Sequence, residues 1–331
     1  MSGRRALAGR AGIAGALAGM VALVGVIGGC GRTTLNPPHD TRPDPLPPGP
    51  LRPPDPLPGH PLPSGLLLAR FAVIGDYGID SDAEARVARM VSGWNPDFVI
   101  TTGDNNYPSG EASTIDVNIG KHYGRFIGNY RGAYGAGSSA MNRFWPSAGN
   151  HDWDGANLAP YLDYFTLPGN ERYYDVVLGP VHLFAVDSDP REPDGNTEGS
   201  VQARWLQKAL TASSSCFDVV YFHHPAYSSG FHGSYLSMRW PFESWGADVV
   251  LAGHDHVYER SKVGGIRHIT VGLSGNEIYP FGAPIPESEV RFSTRRGALL
   301  ATAREDGISF QFFADDGTEV DSYASFKSCR R

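Results

Sequence analysis

Five short polar clusters between residues 75 and 256 contain side chains that bind metal ions. The clusters are Asp76; Asp104 with Tyr107; Asn150 with His151; His223 with His224; and His254 with His256. Their carboxylate, phenolate, amide and imidazole groups are the oxygen and nitrogen ligands that first-row transition metals accept. A single Gly-Asp or Gly-Asn pair is usually a turn, and an isolated histidine is usually a surface or core residue. Five clusters in one chain indicate instead a metal site that activates water.

Each cluster ends an apolar run that is rich in β-branched residues. The runs are RFAVIGDYG (70–78), DFVITTGDNNY (97–107), FWPSAGNHDW (144–153), CFDVVYFHHP (216–225) and ADVVLAGHDH (247–256). Four of them predict strands, and the Trp-Pro run predicts a loop or a short strand. Open α/β sheets bind their ligands beyond the carboxyl ends of the strands, so we expect the clusters to converge.

Helical patterns separate these runs. One helix is predicted from Ser81-Asp82-Ala83-Glu84 onward, another over 196–212, and a third within 235–245. After Gly264 the strand-like segments IRHITVGL, GALLATARE and ISFQFFADDG follow one another. Alternating strands and helices, followed by antiparallel strands, predict an α/β fold of two packed mixed sheets with helices outside.

The ordered motifs resemble a known family. GDYG (75–78), GDNNY (103–107), GNHD (149–152), VYFH (220–223) and GHDH (253–256) are similar to the five blocks of the purple acid phosphatases, within the calcineurin-like metallophosphoesterase superfamily. The resemblance implies a four-layer α/β/β/α sandwich over residues 67–331. It also implies a centre of two metal ions at one edge of the sandwich.

The resemblance further assigns the ligands. The first metal, typically Fe(III), would be bound by Asp76, Tyr107 and His256. The second metal, typically Fe(II), Zn or Mn, would be bound by Asn150, His223 and His254, and Asp104 would bridge the two. Hard carboxylate and phenolate oxygens suit a trivalent ion, whereas imidazole and amide groups suit a divalent one. The alternative is that Tyr107 only packs in its loop and that the first site binds a divalent metal.

The function implied is an exported phosphatase that hydrolyses phosphate monoesters by in-line attack of a metal-bound hydroxide. By the same resemblance His151 contacts the phosphate and donates a proton, and His232 is a second candidate beside the leaving group. The alternative is that both histidines only orient ligands or water. A phosphodiesterase or nucleotidase with the same metals is a second reading of the chain. A non-catalytic surface lipoprotein is a third alternative. It predicts that some of the ligand positions hold residues that cannot bind a metal.

Several neighbouring residues are expected to support the ligands. His224, Asp152 and Asn105 are predicted to lie behind the ligands and to orient them by hydrogen bonds. Glu259 and Arg260 are predicted to form a structural ion pair or to be a feature of an edge strand, with contact to the substrate as the alternative.

The first 30 residues read as an export segment. Arg4, Arg5 and Arg10 precede an apolar run that ends at Cys30, which is the pattern of a signal peptide, with a retained membrane span as the alternative. Ile27-Gly28-Gly29-Cys30 resembles the lipobox of bacterial lipoproteins. Acyl chains on Cys30 would hold the protein on a membrane of the cell envelope. An ordinary cleaved signal would release a secreted protein instead.

Residues 31–66 read as a linker. Thirteen of the 26 prolines lie between Pro37 and Pro63, and such a segment tends to extended polyproline II helix. A partner-binding PxxP segment is the alternative. We therefore predict an export segment over 1–30, a linker over 31–66 and a catalytic domain over 67–331.

Charge and cysteine content limit the partners. Without Arg4, Arg5 and Arg10 the 28 basic residues fall to 25, against 35 acidic ones, which disfavours binding of duplex nucleic acid. The expected partner is a small phosphate ester. If Cys30 is lipidated, Cys216 and Cys329 remain as an even pair, either as a disulfide or as two thiols.

Overall fold

The structure is a computed structural model that describes residues 67–135 and 141–327. The predicted export segment and linker lie outside the described residues, as do Cys30 and Cys329. Cys216 is disulfide-bonded. That its partner is Cys329 stays a prediction. Among the residues described, none of the helices is long and apolar enough to cross a membrane.

Strands provide most of the regular structure. In chain order they are β1 Leu67–Ile74, β2 Phe98–Thr101, β3 Phe144–Pro146, β4 Tyr174–Leu178, β5 Val181–Ala185, β6 Phe217–Tyr221, β7 Val249–Ala252, β8 Tyr258–Val263, β9 Ile266–Val271, β10 Ser288–Phe292, β11 Gly297–Arg304, β12 Gly307–Ala314 and β13 Glu319–Phe326. They form a six-stranded sheet in the order β13-β12-β11-β1-β2-β3 and a seven-stranded sheet in the order β10-β8-β9-β7-β6-β5-β4. Both sheets are mixed: β1, β2 and β3 run parallel in the first, and β5, β6, β7 and β9 run parallel in the second.

The helices are short. They are α1 Asp82–Gly93, α2 Lys121–Tyr123, α3 Asn150–Asp154, α4 Ala159–Tyr164, α5 Val201–Ala212 and α6 Phe242–Trp245. Helix α1 begins where predicted, because the Ser81 side chain accepts a hydrogen bond from the Glu84 N–H and caps the first turn. Helix α5 begins later than predicted, since the cap is Ser200.

Alternating side chains of the second sheet define the layers. Leu183 and Val219 belong to the large core between the two sheets, which also contains Phe71 of β1. Their neighbours Phe184 and Val220 point the other way, into a separate core under α5 and α6. Because successive residues of a strand face opposite sides, the second sheet is covered on both faces. The prediction of two mixed sheets with flanking helices is confirmed.

Candidate metal centre

The candidate ligands meet at the carboxyl ends of parallel strands. Asp76 follows β1, Asp104 follows β2, and Asn150 begins α3 soon after β3, all in the first sheet. His223 follows β6, and His254 and His256 follow β7, in the second sheet. Since carboxyl ends of parallel strands share one edge of a sheet, both sheets contribute ligands to one site.

Three of these side chains, with Tyr107, form a first group around the Tyr107 phenol. The phenolic oxygen lies 2.9 Å from Asp104 Oδ2, 3.3 Å from Asp76 Oδ1 and 3.2 Å from His256 Nε2. His256 Nε2 is 3.4 Å from Asp76 Oδ1. These are the residues that the sequence assigns to the first metal, together with the bridging carboxylate.

A second group surrounds His223. Its Nε2 atom lies 3.0 Å from Asn150 Oδ1, 3.1 Å from His254 Nδ1 and 3.3 Å from Asp104 Oδ2. Asp104 Oδ2 therefore contacts members of both groups. A carboxylate in this position is placed to share two cations.

The donor atoms fit metal ions. Ligand atoms about 2.1 Å from one cation lie about 3.0 to 3.4 Å apart, as these do. The Nδ1 atoms of two histidines face backbone carbonyls: His223 that of Thr102 at 2.9 Å, and His256 that of Glu277 at 2.8 Å. A carbonyl only accepts, so each Nδ1 donates to it and each Nε2 is the ring atom that faces the site.

The buried carboxylates of the site favour a positive charge beside them. Asp76 and Asp104 are buried, with at most 1 % of either residue exposed. Burial by itself lowers the pKa of His223, but the Asp104 carboxylate more than offsets this and raises the pKa to about 10. Burial, and then Asp104 and Asp76, raise the pKa of the Tyr107 phenol well above its usual value. A bound cation would compensate the carboxylates and would favour the ionised form of the phenol.

The backbone at the site is strained. Asp76, Asp104 and His254 have φ values of 54°, 49° and 68°, in the left-handed region that non-glycine residues seldom occupy. At Gly149 an added Cβ would come within 2.2 Å of Asp104 Oδ1, so only glycine lets the two segments approach this closely. Such strain concentrates at functional sites.

Asp152 and Asn105 lie behind the candidate ligands and make hydrogen bonds to the segments that carry them. The Asp152 carboxylate accepts hydrogen bonds from the backbone N–H of Asn105 at 3.1 Å and of Gly149 at 2.9 Å, and from the Asn105 amide at 2.8 Å. It thereby joins the loops that carry Asp104 and Asn150. Burial, and then the charge of Asp104, raise the pKa of Asp152 to about 7.

The two predicted catalytic histidines lie beside different ligand groups. The His151 ring lies 4.4 Å from the Tyr107 ring, and its Nδ1 atom is 2.5 Å from the Pro108 carbonyl oxygen, so Nε2 is left to face the centre. His232 is exposed, and its ring lies 4.3 Å from the His254 ring. Each is near one group of ligands.

His224 lies closer to the centre than a residue on an extended strand would. Its Nδ1 atom is 2.9 Å from Ser188 Oγ, and its ring is 4.4 Å from the His254 ring. Possible ligand atoms of His223, His224 and His254 all lie within 4.8 Å of one another. Burial, and then the charge of His223, lower the pKa of His224 to about 3, which keeps the ring neutral.

Three supporting residues were missed in the sequence. Arg191 donates to the Asn150 carbonyl at 2.9 Å, and Ser188 holds His224. Both follow β5, and the signal was an apolar run, VHLFAV, that ends in the polar cluster DSDPRE. Asp255, between two candidate ligands, instead accepts from the His232 N–H at 2.7 Å.

Glu259 and Arg260 do not form an ion pair with each other, and β8 lies between β10 and β9 and is not an edge strand, so both predictions are wrong. Adjacent residues of β8 point to opposite faces. Arg260 binds Asp321 at 2.7 Å, whereas Glu259 accepts from the N–H and the hydroxyl of Ser229, both at 2.6 Å.

Comparison with known proteins places the chain in a family. Residues 69–258, more than half of the chain, match the calcineurin-like phosphoesterase family. Purple acid phosphatase 5 of Arabidopsis thaliana is 29% identical, over 62% of this chain and 48% of its own length. Human tartrate-resistant acid phosphatase type 5 is 25% identical, over 56% of this chain and 66% of its own length. The chain thus spans about half to two thirds of these relatives.

Solved structures share the fold. A purple acid phosphatase, PPD1, from yellow lupin seeds has a TM-score of 0.62 at 17% identity, covering 79% of this chain and 54% of its own. GAP50, described as the anchor in the inner membrane complex of Plasmodium, has the same TM-score and identity, covering 80% of this chain and 90% of its own. The chain belongs to the calcineurin-like phosphoesterase family.

Proposed function

We propose that the chain is a dinuclear metal phosphatase that hydrolyses phosphate monoesters. The observation that supports this most directly is the position of Asp104 Oδ2, which is 2.9 Å from Tyr107 in one ligand group and 3.3 Å from His223 in the other. Similarity to two acid phosphatases, one from a plant and one from human, supports the substrate class.

The proposed ligands are those of the two groups. The first ion, proposed as Fe(III), is held by Asp76, Tyr107 and His256. The second, proposed as Fe(II), Zn or Mn, would be held by Asn150, His223 and His254, and Asp104 would be shared by the two groups. When bound, the two cations lower the pKa of water and neutralise charge on the phosphoryl oxygens.

The flanking histidines handle the substrate in this proposal. His151 Nε2 donates a hydrogen bond to a phosphoryl oxygen, with its ring fixed through Nδ1 by the Pro108 carbonyl. His232, exposed beside His254, gives a proton to the departing oxygen. Asp255 accepts a hydrogen bond from the His232 backbone N–H and so fixes the segment that carries this ring beside His254.

The test combines metal analysis with a substrate pair. We expect about two metal ions per chain in the wild type, and a higher kcat/KM for 4-nitrophenyl phosphate than for bis(4-nitrophenyl) phosphate. Asp104→Asn should lose bound metal and at least about 100-fold in activity. Asp97→Asn is the matched control, because the Asp97 carboxylate accepts from the Arg70 backbone N–H, away from the site. Faster diester cleavage would favour a phosphodiesterase, and metal-loaded protein that cleaves neither ester would refute the proposal.

Export is a further part of the proposal. The basic residues before the apolar run and the pattern Ile27-Gly28-Gly29-Cys30 support an export segment over 1–30 and lipidation at Cys30. The proline content of 31–66 supports a spacer between a membrane and the catalytic domain over 67–331.

A further inference from the structure

Phe231 is an exposed aromatic side chain beside the candidate metal centre. Its side chain is 68% exposed, and it precedes His232 in the segment 228–233, which follows β6. Single exposed apolar residues are normal on protein surfaces, so exposure alone indicates nothing. The rings around Phe231 are more informative.

A continuous series of ring contacts connects Phe231 with two candidate metal ligands. Its centroid lies 5.2 Å from that of His232 and 5.7 Å from that of Tyr279. The His232 ring lies 4.3 Å from His254. The Tyr279 ring stacks on His256 at 4.0 Å and 6°. Phe231 and Tyr279 therefore form an aromatic rim next to both ligand groups.

Hydrogen bonds fix both segments of this rim. The Asp255 carboxylate accepts from the N–H of His232 at 2.7 Å and of Gly233 at 3.2 Å. The Tyr279 N–H donates to the His256 carbonyl at 3.1 Å. The backbone segments that carry both rings are thus fixed beside the ligand loop. Pre-organised groups lose little conformational entropy when they bind.

The geometry points to Phe231 and Tyr279 as a platform for the leaving group, which selects phosphate esters of aromatic alcohols. This inference rests on the proposed function. In the proposed function the phosphoryl group binds at the candidate metal centre and His232 faces the departing oxygen. The substituent on that oxygen then extends toward the aromatic rim. Offset or edge contacts between aromatic rings contribute beyond simple area burial, so a ring is favoured over a small alkyl group.

Benzyl phosphate and methyl phosphate test the platform, because both release primary alcohols. We expect the full-length, metal-loaded enzyme to prefer the benzyl ester, as the ratio of the two kcat/KM values. Phe231→Ala should lower this ratio by about 3- to 10-fold. Leu236→Ala is the matched control, since Leu236 is equally exposed, at 68%, in the same connection after β6. It should leave the ratio unchanged. A ratio unaltered in Phe231→Ala, or lowered equally in Leu236→Ala, would overturn the inference.

Two further measurements separate this inference from the proposed function. Calorimetric binding of benzylphosphonate and methylphosphonate to the metal-loaded protein needs no turnover. Tighter binding of benzylphosphonate that is lost in Phe231→Ala supports the platform even if neither ester is hydrolysed, an outcome that would refute only the proposed function. No preference between the phosphonates would overturn the platform. If Phe231→Ala lowered kcat/KM for cyclohexylmethyl phosphate as much as for benzyl phosphate, the proposed selectivity for aromatic rings would be overturned.

Discussion

Replacement of Tyr107 by phenylalanine tests the first ligand group most directly. A phenolate on ferric iron gives a charge-transfer absorption in the visible, so iron-loaded wild type should be coloured. Tyr107→Phe keeps the ring and removes the one atom that lies within 3.3 Å of Asp76, Asp104 and His256. We therefore expect the variant to lose the visible band and to retain its fold.

The cost in stability follows from the same contacts. In metal-free protein the hydroxyl donates to the Asp104 carboxylate at 2.9 Å, and a hydrogen bond to a charged group contributes about 1.5–3 kcal/mol. Urea unfolding of metal-free Tyr107→Phe should show a loss of that size. Activity should fall less than colour, because the charge at the site is set mainly by the cations.

Tyr123→Phe is the matched control for colour and for stability. Tyr123 is also fully buried, but its hydroxyl has no hydrogen-bond partner among the described residues. Its replacement should leave the spectrum intact and change the free energy of unfolding little. Iron-loaded wild type without a visible band, or a band that persists in Tyr107→Phe, would show that Tyr107 is not a ligand of ferric iron.

Three other perturbations have defined outcomes. Asp152→Ala leaves the buried N–H groups of Asn105 and Gly149 without their acceptor, so urea unfolding should show a loss of about 2–4 kcal/mol, and an unchanged midpoint would contradict the supporting role. His268 is buried, and burial, with a smaller contribution from Arg239, lowers its pKa to about 3. Only the unfolded chain then takes up this proton between about pH 6.5 and 3, so stability falls as the pH drops, and His268→Phe should reduce the loss between pH 7 and 5 by up to about 2 kcal/mol. An equal pH dependence in the variant would exclude His268 as the cause. Cys30→Ser should abolish metabolic labelling with fatty acid, and equal labelling would contradict lipidation.

The sequence predicted the parts of the fold that have strong local patterns. The buried strands before Asp76, Asp104, His223 and His254 are apolar runs that end in polar clusters, and the structure has strands there. The strand β13, with its mixed burial, has no such pattern and was missed. Its position depends on pairing with β12, which is a non-local contact.

Side-chain direction was harder to predict than membership of the site. The proximity of His224 to His254 depends on the turn after β6 and on Ser188, which is 36 residues away in the chain. The partner of Glu259, Ser229, is 30 residues away. Neither contact can be predicted from the local sequence. The alternation of side chains along a strand, however, already argued against pairing Glu259 with Arg260.

The division of the ligands between the two sheets has a mechanical consequence. Asp76 and Asp104 extend from the first sheet, and His223 and His256 from the second, so every cation bound at this edge would fasten one half of the sandwich to the other. The metals would then act as non-covalent cross-links between the sheets, and their occupancy would depend on the free metal concentration. At a hundredfold excess over the Kd, each would add about 2.7 kcal/mol to the free energy of unfolding. Chelation would therefore weaken the contact between the two sheets at the edge where the reacting groups lie.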